Sequence, residues 1–581
     1  MLNKIFLKQN RKYISSRENN LASGGDILFS DSQNILAINT CRKRMPVAIF
    51  LFMLAYAIII IRVFYLCISH GIVIHGFDNT EEKETLKVGH LISRADITDR
   101  NGVIVATSLP TVNLQVEKKP KIKNVEKVAQ DLSLIIPDMN YETILNRLKK
   151  QKNNEIKRNL SPAQQAEVNN LGVAALKFID NQARVYPHDN LFSHILGYTD
   201  IDNKGLGGLE KFMDERLRQS SKPLQLTLDI SIQDTVREEL KKAIHEYQAI
   251  GAVAIVMDVN NGEVISMVSL PDFNPNLPRH AYDNSMFNFA TQGIYEAGSV
   301  FKTFNTALGL ESKKIKVTDK FDATKPIKLH GVKVTDYRGE NRWLSVGEIL
   351  IHSSNIGSAL IIDKVGKEKQ REFLANLGFS GKLSEFEVLE KGTPRFLSPK
   401  NWKDATMVTA SYGYGLSSTP LHIISAFNAL INGGIYYYPT ILKPSNVPAP
   451  RRVISENTSQ KMIPLLRDVV IKGSAKGANV EGYQVIGKTG TANKINEKGD
   501  YVEKKVMTSF LAAFPGNNPK YSLIVVLDEP KGTNKFGFVT SGWNAVPTGA
   551  NIIKAIAPQL NVQADFNLDE QRMHINASFD K

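Results

Sequence analysis

The longest apolar stretch of the chain lies near its start. Residues 45–61 read MPVAIFLFMLAYAIIII, and VFYLCIS follows after the single charge of Arg62. Together these segments reach the ~20 residues that a membrane-spanning helix needs, which predicts a helix over 45–69. Residues 1–44 contain eight Lys/Arg and three Asp/Glu. Because basic flanks stay on the cytoplasmic side, we expect residues 1–44 inside and the rest of the chain outside.

A cleaved secretory signal is the alternative interpretation of this stretch. Signal peptides have only a short region before their apolar run, whereas 44 residues precede it here. We therefore expect an uncleaved anchor.

Alternating apolar and polar residues resume after an exposed connector at 70–90. The segment LISRADITDRNGVIVATSL contains Asn101-Gly102, a pair that tolerates positive φ and so predicts a hairpin turn. A Lys-rich stretch at Tyr141–Lys150 has a helical pattern. These elements predict a modest separate domain, a dimerisation-like pedestal over 70–222.

From Leu224 onwards the apolar pattern is denser. LQLTLD predicts a strand, and SIQDTVREELKKAIHEY predicts a helix because its apolar residues share one face. The residues of that face are Ile232, Val236, Leu240 and Ile244. GAVAIVMDVNNGEVISMVSL predicts a second hairpin, which turns at Asn261-Gly262.

Helix boundaries are also visible further along the chain. Thr419-Pro420 predicts a helix start, with threonine as N-cap and proline at the first position, and Gly433-Gly434 predicts its end. Strand and helix patterns alternate to about residue 560. We expect an α/β fold of the α+β type, with a central antiparallel sheet covered by helices over 223–560 and a C-terminal tail over 561–581.

Length, charge and cysteine content restrict the class of protein. A chain of 581 residues is too long for one core. The net charge of +14 suggests an anionic partner, but no nucleic-acid motif accompanies it, so no nucleic acid is expected. The two cysteines, Cys41 and Cys67, flank the apolar run, and no His-x-x-x-His spacing occurs. We expect neither a metal site nor a cofactor.

Ser299 and Lys302, in the stretch YEAGSVFKTF, are candidates for a nucleophile and its base. The stretch predicts a helix after Gly298, and residues three apart are neighbours on a helix. Its buried face is expected to comprise Val300, Phe301, Phe304, Ala307 and Leu308. A neutral lysine there could take the serine proton. Ser-x-x-Lys alone is a common pattern, however, and two polar residues at the start of a buried helix are the simpler explanation.

Two distant segments change this interpretation. Ser353-Ser354-Asn355 begins 54 residues after Ser299, and Lys488-Thr489-Gly490-Thr491 begins 189 residues after it. The ordered trio of Ser-x-x-Lys, Ser-(Asp)-Asn and Lys-Thr-Gly is typical of penicillin-binding proteins and serine β-lactamases. Ser354 takes the place of the aspartate. A helix cap, a satisfied buried asparagine and a solvated lysine would explain the segments separately, but their joint occurrence favours active-site serine chemistry.

Five residues are predicted to be catalytic: Ser299, Lys302, Ser353, Asn355 and Lys488. As a second cation, Lys488 would lower the pKa of Lys302 and attract a substrate carboxylate. Ser353 would relay a proton to the leaving amine. Asn355 would hold Lys302 and the substrate amide.

Four more residues are predicted to bind substrate: Ser354, Thr489, Gly490 and Thr491. The two threonine hydroxyls would contact the substrate carboxylate, and Gly490 would let the backbone approach closely. The backbone N–H groups of Ser299 and Thr491 would form an oxyanion hole.

Beyond the trio, long segments resemble class B penicillin-binding proteins, the monofunctional peptidoglycan D,D-transpeptidases, and most of all their septal members. These segments include RVFYL, RADITDRNG, HILGYTDIDNKGLGGLEKFMDERL, SYGYGLSSTPLHIISAFNALINGG and TSFLAAFPGNNPKYSLIVVLDEP. The resemblance covers Pro46 to about Lys554. It implies a cytoplasmic tail, one membrane helix, an exterior pedestal and a transpeptidase domain.

The resemblance also implies chemistry, location and partners. Ser299 would be acylated by the D-Ala-D-Ala end of a peptidoglycan stem peptide, and the amine of a second stem peptide would then form the crosslink. β-Lactams would acylate the same serine. The implied location is the bacterial inner membrane at the division septum, with the catalytic part in the periplasm. The implied partners are a membrane glycosyltransferase and other division proteins.

Departures from the family pattern are few, and three rival functions stay open. Ala297 stands where the family usually has proline, and the chain is shorter than usual between Phe212 and Leu224. An elongation-specific transpeptidase shares the motifs. A membrane-bound β-lactamase would need a glutamate that activates water, and none can be identified. A β-lactam sensor would need cytoplasmic signalling segments, for which residues 1–44 are short.

Overall fold

The structure, a computed structural model, describes residues 46, 50–62, 93–150, 154–282, 284–381, 383–443, 447–495, 500–533 and 537–566. The chain divides into two compact units, Met1–Gly89 and His90–Lys581. In the first unit, residues 50–62 form a helix with exposed side chains. Among the described residues, no helix has the length and hydrophobicity that crossing a membrane requires. The predicted helix over 45–69 lies partly outside the described residues, and so does the predicted C-terminal tail. The predicted tail 1–44 and the connector 70–90 lie wholly outside them.

Strands of the second unit are distributed along its whole length. They are β1 Ile97–Thr98, β2 Ile104–Val116, β3 Asn154–Leu160, β4 Leu176–Val185, β5 Leu224–Leu226, β6 Gly251–Asp258, β7 Val264–Leu270, β8 Lys320–Asp322, β9 Ile327–Leu329, β10 Val332–Val334, β11 Trp343–Ser345, β12 Ile435–Tyr436, β13 Leu442–Lys443, β14 Arg451–Arg452, β15 Ile486–Ile495, β16 Tyr501–Phe514 and β17 Tyr521–Asp528.

Helices separate most of these strands. They are α1 Val125–Ile135, α2 Tyr141–Lys150, α3 Pro162–Asn170, α4 Ser193–Leu196, α5 Gly208–Phe212, α6 Asp214–Gln219, α7 Ile230–Tyr247, α8 Phe289–Gln292, α9 Phe301–Glu311, α10 Val346–Ile351, α11 Asn355–Val365, α12 Lys367–Leu374, α13 Asp404–Ala410, α14 Pro420–Ile431, α15 Glu456–Lys472 and α16 Ala545–Gln559.

One sheet contains strands from both sides of the boundary predicted at residue 222. Its order is β13-β5-β1-β2-β3, with β4 paired to β2. Strands β1 and β2 form the predicted hairpin, although residues 100–102 make a three-residue loop rather than a two-residue turn. Within this loop only Gly102 has positive φ, because hydrogen bonds from Asn101 and Val103 to the Asp99 carboxylate shape the rest.

A small core of its own lies beneath β2 and β3. Leu132 of α1 and Leu148 of α2 are buried there with Leu114 and Ile156. The Lys-rich helix predicted over Tyr141–Lys150 is present with the same bounds. Its three apolar residues Ile144, Leu145 and Leu148 point inward, which explains why a strongly basic segment folds at all.

A buried ion network connects this region to the chain before α7. The carboxylate of Glu210 accepts hydrogen bonds from Arg94 at 2.6 Å and from Arg184 at 2.7 Å. Arg94 also donates to Asp214 at 2.6 Å. Because the side chains of Arg94, Arg184 and Glu210 are almost fully buried, each of these charges depends on its partner.

The larger core surrounds a five-stranded antiparallel sheet in the order β15-β16-β17-β6-β7. Every residue of β7 is buried, so the sheet is covered on both faces. Helices α7 and α16 pack on each other and on this sheet, and α14 also contacts it. The expected antiparallel sheet with covering helices is therefore confirmed.

Three elements that local sequence patterns predict, two helices and a hairpin, are present in the structure. Helix α7 begins after the N-cap Asp229 and buries Ile232, Val236 and Leu240, while Ile244 is half-buried. The hairpin of β6 and β7 has Gly262 at φ 79° in its turn. Helix α14 has Thr419 as its N-cap, and its end is followed by two glycines with positive φ, Gly433 and Gly434.

Candidate active site

Ser299 lies in a 3-10 turn, Gly298–Val300, that leads directly into α9. The residues on either side of Ser299 are buried, whereas Ser299 itself is half-buried and reachable. Lys302 occupies the first turn of α9, and its Nζ lies 2.7 Å from Oγ of Ser299. Ser299 and Lys302 are therefore neighbours in the structure, as the sequence predicts.

Helix α9 is buried on all sides rather than on the single face expected from its sequence. Every residue from Phe301 to Leu310 is buried, including Thr303 and Asn305. The reason is its central position: α9 has contacts with α11, α12, α14 and α15. Lys302 is consequently 1% exposed, although its sequence position suggests only a polar residue at a helix start.

Ser353 connects the first motif to the third. It lies between α10 and α11 at φ 57°, a left-handed conformation that serine rarely adopts. Nζ of Lys302 lies 2.8 Å from the carbonyl oxygen of Ser353 and 3.1 Å from its Oγ. Nζ of Lys488 also lies 3.1 Å from that Oγ. The hydroxyl of Ser353 thus joins two lysines that are 186 residues apart in sequence.

The third motif lies on β15, as predicted, and β15 is a terminal strand of its sheet. Gly490 packs against the turn that carries Ser299. A Cβ on Gly490 would lie 2.6 Å from the carbonyl oxygen of Ala297 and 2.9 Å from Cγ2 of Val300. Gly298 has φ +52°, and a Cβ there would lie 2.8 Å from the carbonyl oxygen of Thr491. Both glycines are needed because strand and turn are in direct backbone contact.

Burial lowers the pKa of both lysines, and the nearby cation of Lys488 lowers that of Lys302 further. The pKa of Lys302 falls well below its usual value, first because the amine is buried and second because Lys488 is close, while Asp336 opposes the shift. Burial lowers the pKa of Lys488 to about 7. The shifts favour loss of a proton from the pair, and Lys302 is the amine that lies beside Oγ of Ser299.

A neutral Lys302 fits its contacts well. It has two N–H bonds and one lone pair. The carbonyl and the hydroxyl oxygen of Ser353 can accept the two N–H bonds, which leaves the lone pair for the hydroxyl proton of Ser299. This is the arrangement that a general base needs.

The contacts of Ser354 and Asn355 differ from the predicted ones. Ser354 is the N-cap of α11, since its Oγ accepts a hydrogen bond from the backbone N–H of Gly357 and donates one to Asp336 at 2.7 Å. The side-chain amide of Asn355 donates to the carbonyl oxygen of Thr335 at 2.8 Å. Within the described contacts, Asn355 does not reach Lys302, which Ser353 holds instead. The helix cap in this segment is therefore Ser354.

The two threonines of the third motif already have partners. Oγ1 of Thr489 lies 2.6 Å from Oγ of Ser474, which follows α15. Oγ1 of Thr491 accepts a hydrogen bond from the backbone N–H of Ser541 at 3.2 Å. Thr491 keeps its own hydroxyl proton free to donate.

Sequence reasoning missed Asp336. Its Oδ1 accepts hydrogen bonds from the backbone N–H groups of Asn355 at 2.6 Å and Ile356 at 3.0 Å, and its Oδ2 accepts from Ser354. A carboxylate at a helix N-terminus is favourable. Asp336 precedes α11 by 19 residues, however, so no local sequence pattern predicts this contact. Ser474 and Ser541 were missed for the same reason.

Glu296 is the carboxylate nearest to Ser299 in sequence. Its Oε1 accepts a hydrogen bond from the backbone N–H of Gly415 at 2.7 Å, and its Oε2 accepts from the hydroxyl of Tyr501 at 3.0 Å. Burial raises the pKa of Glu296. Both oxygens are thus engaged in holding neighbouring segments together.

Comparison with known proteins decides the family. Residues 252–543 match the family described as the penicillin binding protein transpeptidase domain, and residues 92–242 match the penicillin-binding protein dimerisation domain. The chain is 34% identical to the probable peptidoglycan D,D-transpeptidase FtsI of Caulobacter vibrioides, over 81% of this chain and 82% of that protein. The chain belongs to the class B penicillin-binding proteins.

Other members of the family are similar over comparable lengths. This penicillin-binding protein is 30% identical to stage V sporulation protein D of Bacillus subtilis, over 83% of this chain and 81% of that protein. Its fold is similar to that of a peptidoglycan synthetase from Bifidobacterium adolescentis, with a TM-score of 0.66 and 19% identity over 82% of this chain and 96% of that one. Penicillin binding protein 3 from Mycobacterium tuberculosis, complexed with aztreonam, has a TM-score of 0.64 and 24% identity over 81% and 97%. These structures confirm the predicted α/β fold with a central sheet and helices.

Proposed function

We propose that this protein is an FtsI-like peptidoglycan D,D-transpeptidase that works through an acyl-enzyme on Ser299. The observation that carries the proposal is the continuous line of contacts from Ser299 through Lys302 and Ser353 to Lys488. This line offers a nucleophile, a base and a hydroxyl that can pass a proton onward. Relatives named as peptidoglycan D,D-transpeptidases support a peptide ending in D-Ala-D-Ala as the acyl donor.

The first half of the proposed reaction is acylation. Lys302 takes the hydroxyl proton of Ser299 while Oγ attacks the carbonyl carbon of the penultimate D-alanine. The backbone N–H groups of Ser299 and Thr491 are the proposed donors to the oxyanion. The C–N bond to the last D-alanine then breaks, and its nitrogen receives the proton from Lys302 through Oγ of Ser353. D-Alanine leaves, and an ester remains on Ser299.

The second half is transfer. The amine of a second stem peptide attacks the ester carbonyl and loses a proton through Ser353 and Lys302. The ester C–O bond breaks, Oγ of Ser299 recovers its proton, and a new amide crosslinks the two peptides. A β-lactam would follow only the first half, because its ring opens without releasing a leaving group.

Substrate binding is assigned to the third motif. Because β15 is a terminal strand, an extended donor can pair with it as an added strand. Lys488 and the hydroxyls of Thr489 and Thr491 are proposed to bind the donor carboxylate, and Gly490 permits the close approach. Ser354 and Asp336 are proposed to position Ser353 and Asn355 rather than to touch substrate, because their described contacts lie within the protein.

We propose the following organisation for the whole chain. Residues 1–44 form a cytoplasmic tail, 45–69 a single inner-membrane helix, 70–222 the periplasmic pedestal, 223–560 the transpeptidase domain and 561–581 a tail. The uncharged run at 45–61 and the basic flank before it support the anchor. Retention of the protein in membranes washed at alkaline pH tests it, and release of the full-length chain would contradict it.

A septal role is the preferred biological assignment, with elongation as the alternative. The similarity to a relative named FtsI favours the septal role. A membrane glycosyltransferase and other division proteins are the proposed partners. Depletion of the protein should give filamentous cells, whereas rounded cells would support the elongation role.

Hydrolysis of the acyl-enzyme, as in a β-lactamase, is disfavoured. It would need a carboxylate free to activate water beside the ester. Glu296 is close in sequence, but both of its oxygens are engaged by Gly415 and Tyr501.

The reaction itself tests the proposed function. The full chain is incubated with a peptide that ends in D-Ala-D-Ala and with an acceptor peptide that carries a free amine. We expect release of D-alanine together with a crosslinked product, and neither from the Ser299→Ala variant. D-Alanine release from that variant at the unchanged rate would overturn the proposal.

A further inference from the structure

Two segments each contact one of the two motifs that lie beside Ser299 and Lys302. Residues 335–342 follow β10, and Asp336 in this segment binds the start of α11, where the second motif lies. Residues 537–543 precede α16, and the backbone N–H of Ser541 in this segment binds Thr491 of the third motif. One segment therefore adjoins the second motif and the other adjoins the third.

The segments meet through a cation and an aromatic ring. The guanidinium carbon of Arg338 lies 5.1 Å from the ring centroid of Phe538, within the range of a cation–π interaction. The ring of Phe538 is in turn stacked on Trp543, with centroids 5.9 Å apart and planes 27° apart. Phe538 thereby helps to fix the position of an exposed arginine near the two motifs.

The charge of Arg338 is not neutralised by the described residues. None of their carboxylate oxygens forms an ion pair with its guanidinium, and Asp336, two positions away, is occupied by α11. Arg342 in the same segment is different, because it lies 2.7 Å from Glu348 and 3.7 Å from Glu340. One arginine of this segment is thus paired with carboxylates and the other only with aromatic rings.

A cation–π contact leaves N–H bonds of a guanidinium available, because the attraction is between the delocalised charge and the ring and uses no hydrogen-bond acceptor. A carboxylate accepts two such N–H bonds side by side, which makes it the best-matched ligand for an arginine held in this way.

We propose that Arg338 binds a carboxylate on the acyl side of the donor, so that the enzyme prefers donors with negative charge beyond the residue that Ser299 attacks. The inference rests on the proposed function and adds a preference that the catalytic motifs do not supply. Lys488 would bind the carboxylate on the leaving side of the scissile bond, and Arg338 a second one on the retained side. Phe538 acts as a positioning residue for Arg338.

Two penicillins provide a direct test with the full chain. Carbenicillin is benzylpenicillin with one additional carboxylate on its side chain, which is on the acyl side, and both share the carboxylate of the penicillin nucleus. Their acylation rate constants are measured by competition with a fluorescent penicillin. Arg338→Gln should slow carbenicillin about fivefold, the range of one exposed ion pair, and leave benzylpenicillin unchanged. Arg338→Lys should restore part of the lost rate.

Matched controls make the result decisive. Arg342→Gln removes the same charge from the same segment and should leave the ratio of the two rates as in the wild type. Phe538→Leu keeps Arg338 but removes its ring, and it should lower the ratio in the same direction as Arg338→Gln. An unchanged ratio in Arg338→Gln, or an equal loss in Arg342→Gln, would overturn the proposal.

Failure of the proposed function has a different signature. In that case neither penicillin would acylate the wild-type chain, or Ser299→Ala would be acylated as fast as the wild type. The comparison of the two penicillins is made only after both have been shown to react with Ser299.

Discussion

Lys302 and Lys488 lie at the same distance from one hydroxyl, since each Nζ is 3.1 Å from Oγ of Ser353. Two buried ammonium groups this close repel each other, which favours the loss of a proton from the pair. Lys302 also faces Oγ of Ser299 at 2.7 Å, so the neutral amine lies where a base is needed. The second lysine therefore contributes to activation of the nucleophile as well as to substrate binding.

Asp336 should influence the pH at which the rate of acylation falls on the acid side of its pH profile, here called the acid limb. Its charge raises the pKa of Lys302, whereas burial and Lys488 lower it. Asp336→Asn removes the charge and keeps an oxygen for the start of α11. The pKa of Lys302 should then fall further, and acylation by benzylpenicillin should persist to lower pH than in the wild type. A purely structural role for Asp336 predicts a lower rate with an unmoved limb.

Lys488→Gln should move the same limb in the opposite direction. Loss of the nearby cation removes the repulsion that lowers the pKa of Lys302, so the amine becomes neutral only at higher pH. The midpoint of the limb is compared rather than the rate, because Lys488 is also proposed to bind substrate. A limb that moves to lower pH would contradict the account.

Ser353→Gly should separate activity from stability. Ser353 has φ 57°, which glycine adopts freely, so Ser353→Gly should be more stable than Ser353→Ala, which also lacks the hydroxyl, by about 1 kcal/mol. Loss of the hydroxyl should nevertheless slow acylation by about 10²–10⁴-fold. Ser353→Ala should lose as much activity without the gain in stability. Thermal unfolding and penicillin labelling measure both effects, and full activity in the glycine variant would exclude a proton relay through Ser353.

Gly490→Ala should damage the site through backbone displacement. The added Cβ would lie 2.6 Å from the carbonyl oxygen of Ala297, so β15 and the turn of Ser299 must separate. We expect a loss of about 1–3 kcal/mol in the free energy of unfolding and a severe loss of acylation. Gly381→Ala is the control, because a Cβ there has no neighbour within 4 Å. Equal behaviour of the two variants would show that the close approach at Gly490 is unimportant.

Glu210→Gln should destabilise the pedestal region without touching the catalytic residues. The change removes the negative charge that faces the buried Arg94 and Arg184. We expect it to lower the free energy of unfolding by about 3–5 kcal/mol. Glu238→Gln removes a half-exposed partner of Lys241 and should cost less than about 0.5 kcal/mol. Chemical denaturation compares the two variants. A small effect of Glu210→Gln would mean that water enters the network.

The elements that the sequence predicts well are those with local signals. Thr419 and Pro420 begin α14, and Gly433 and Gly434 follow its end, because capping and positive φ depend on neighbouring residues only. The motif residues Ser299, Lys302, Ser353 and Lys488 form one cluster, as predicted. A recurring sequence pattern was enough to identify these four residues. The distances between them depend on the fold and could be read only from the structure.

Contacts between distant segments could not be predicted from local patterns. Asp336 binds α11 across 19 residues, and Ser541 binds Thr491 across 50. The full burial of α9 is also a tertiary effect, since its sequence shows one apolar face and several polar residues on the other. The expected contact between Asn355 and Lys302 is not among the described contacts, in which the amide of Asn355 donates to Thr335.

The site of covalent modification tests the central claim most directly. The full chain is treated with benzylpenicillin, digested, and its peptides are mapped by mass spectrometry. The account predicts a single penicilloyl adduct on Ser299 and none in the Ser299→Ala variant. An adduct on Ser353 or on any other residue, or an unmodified Ser299 at saturating benzylpenicillin, would contradict it.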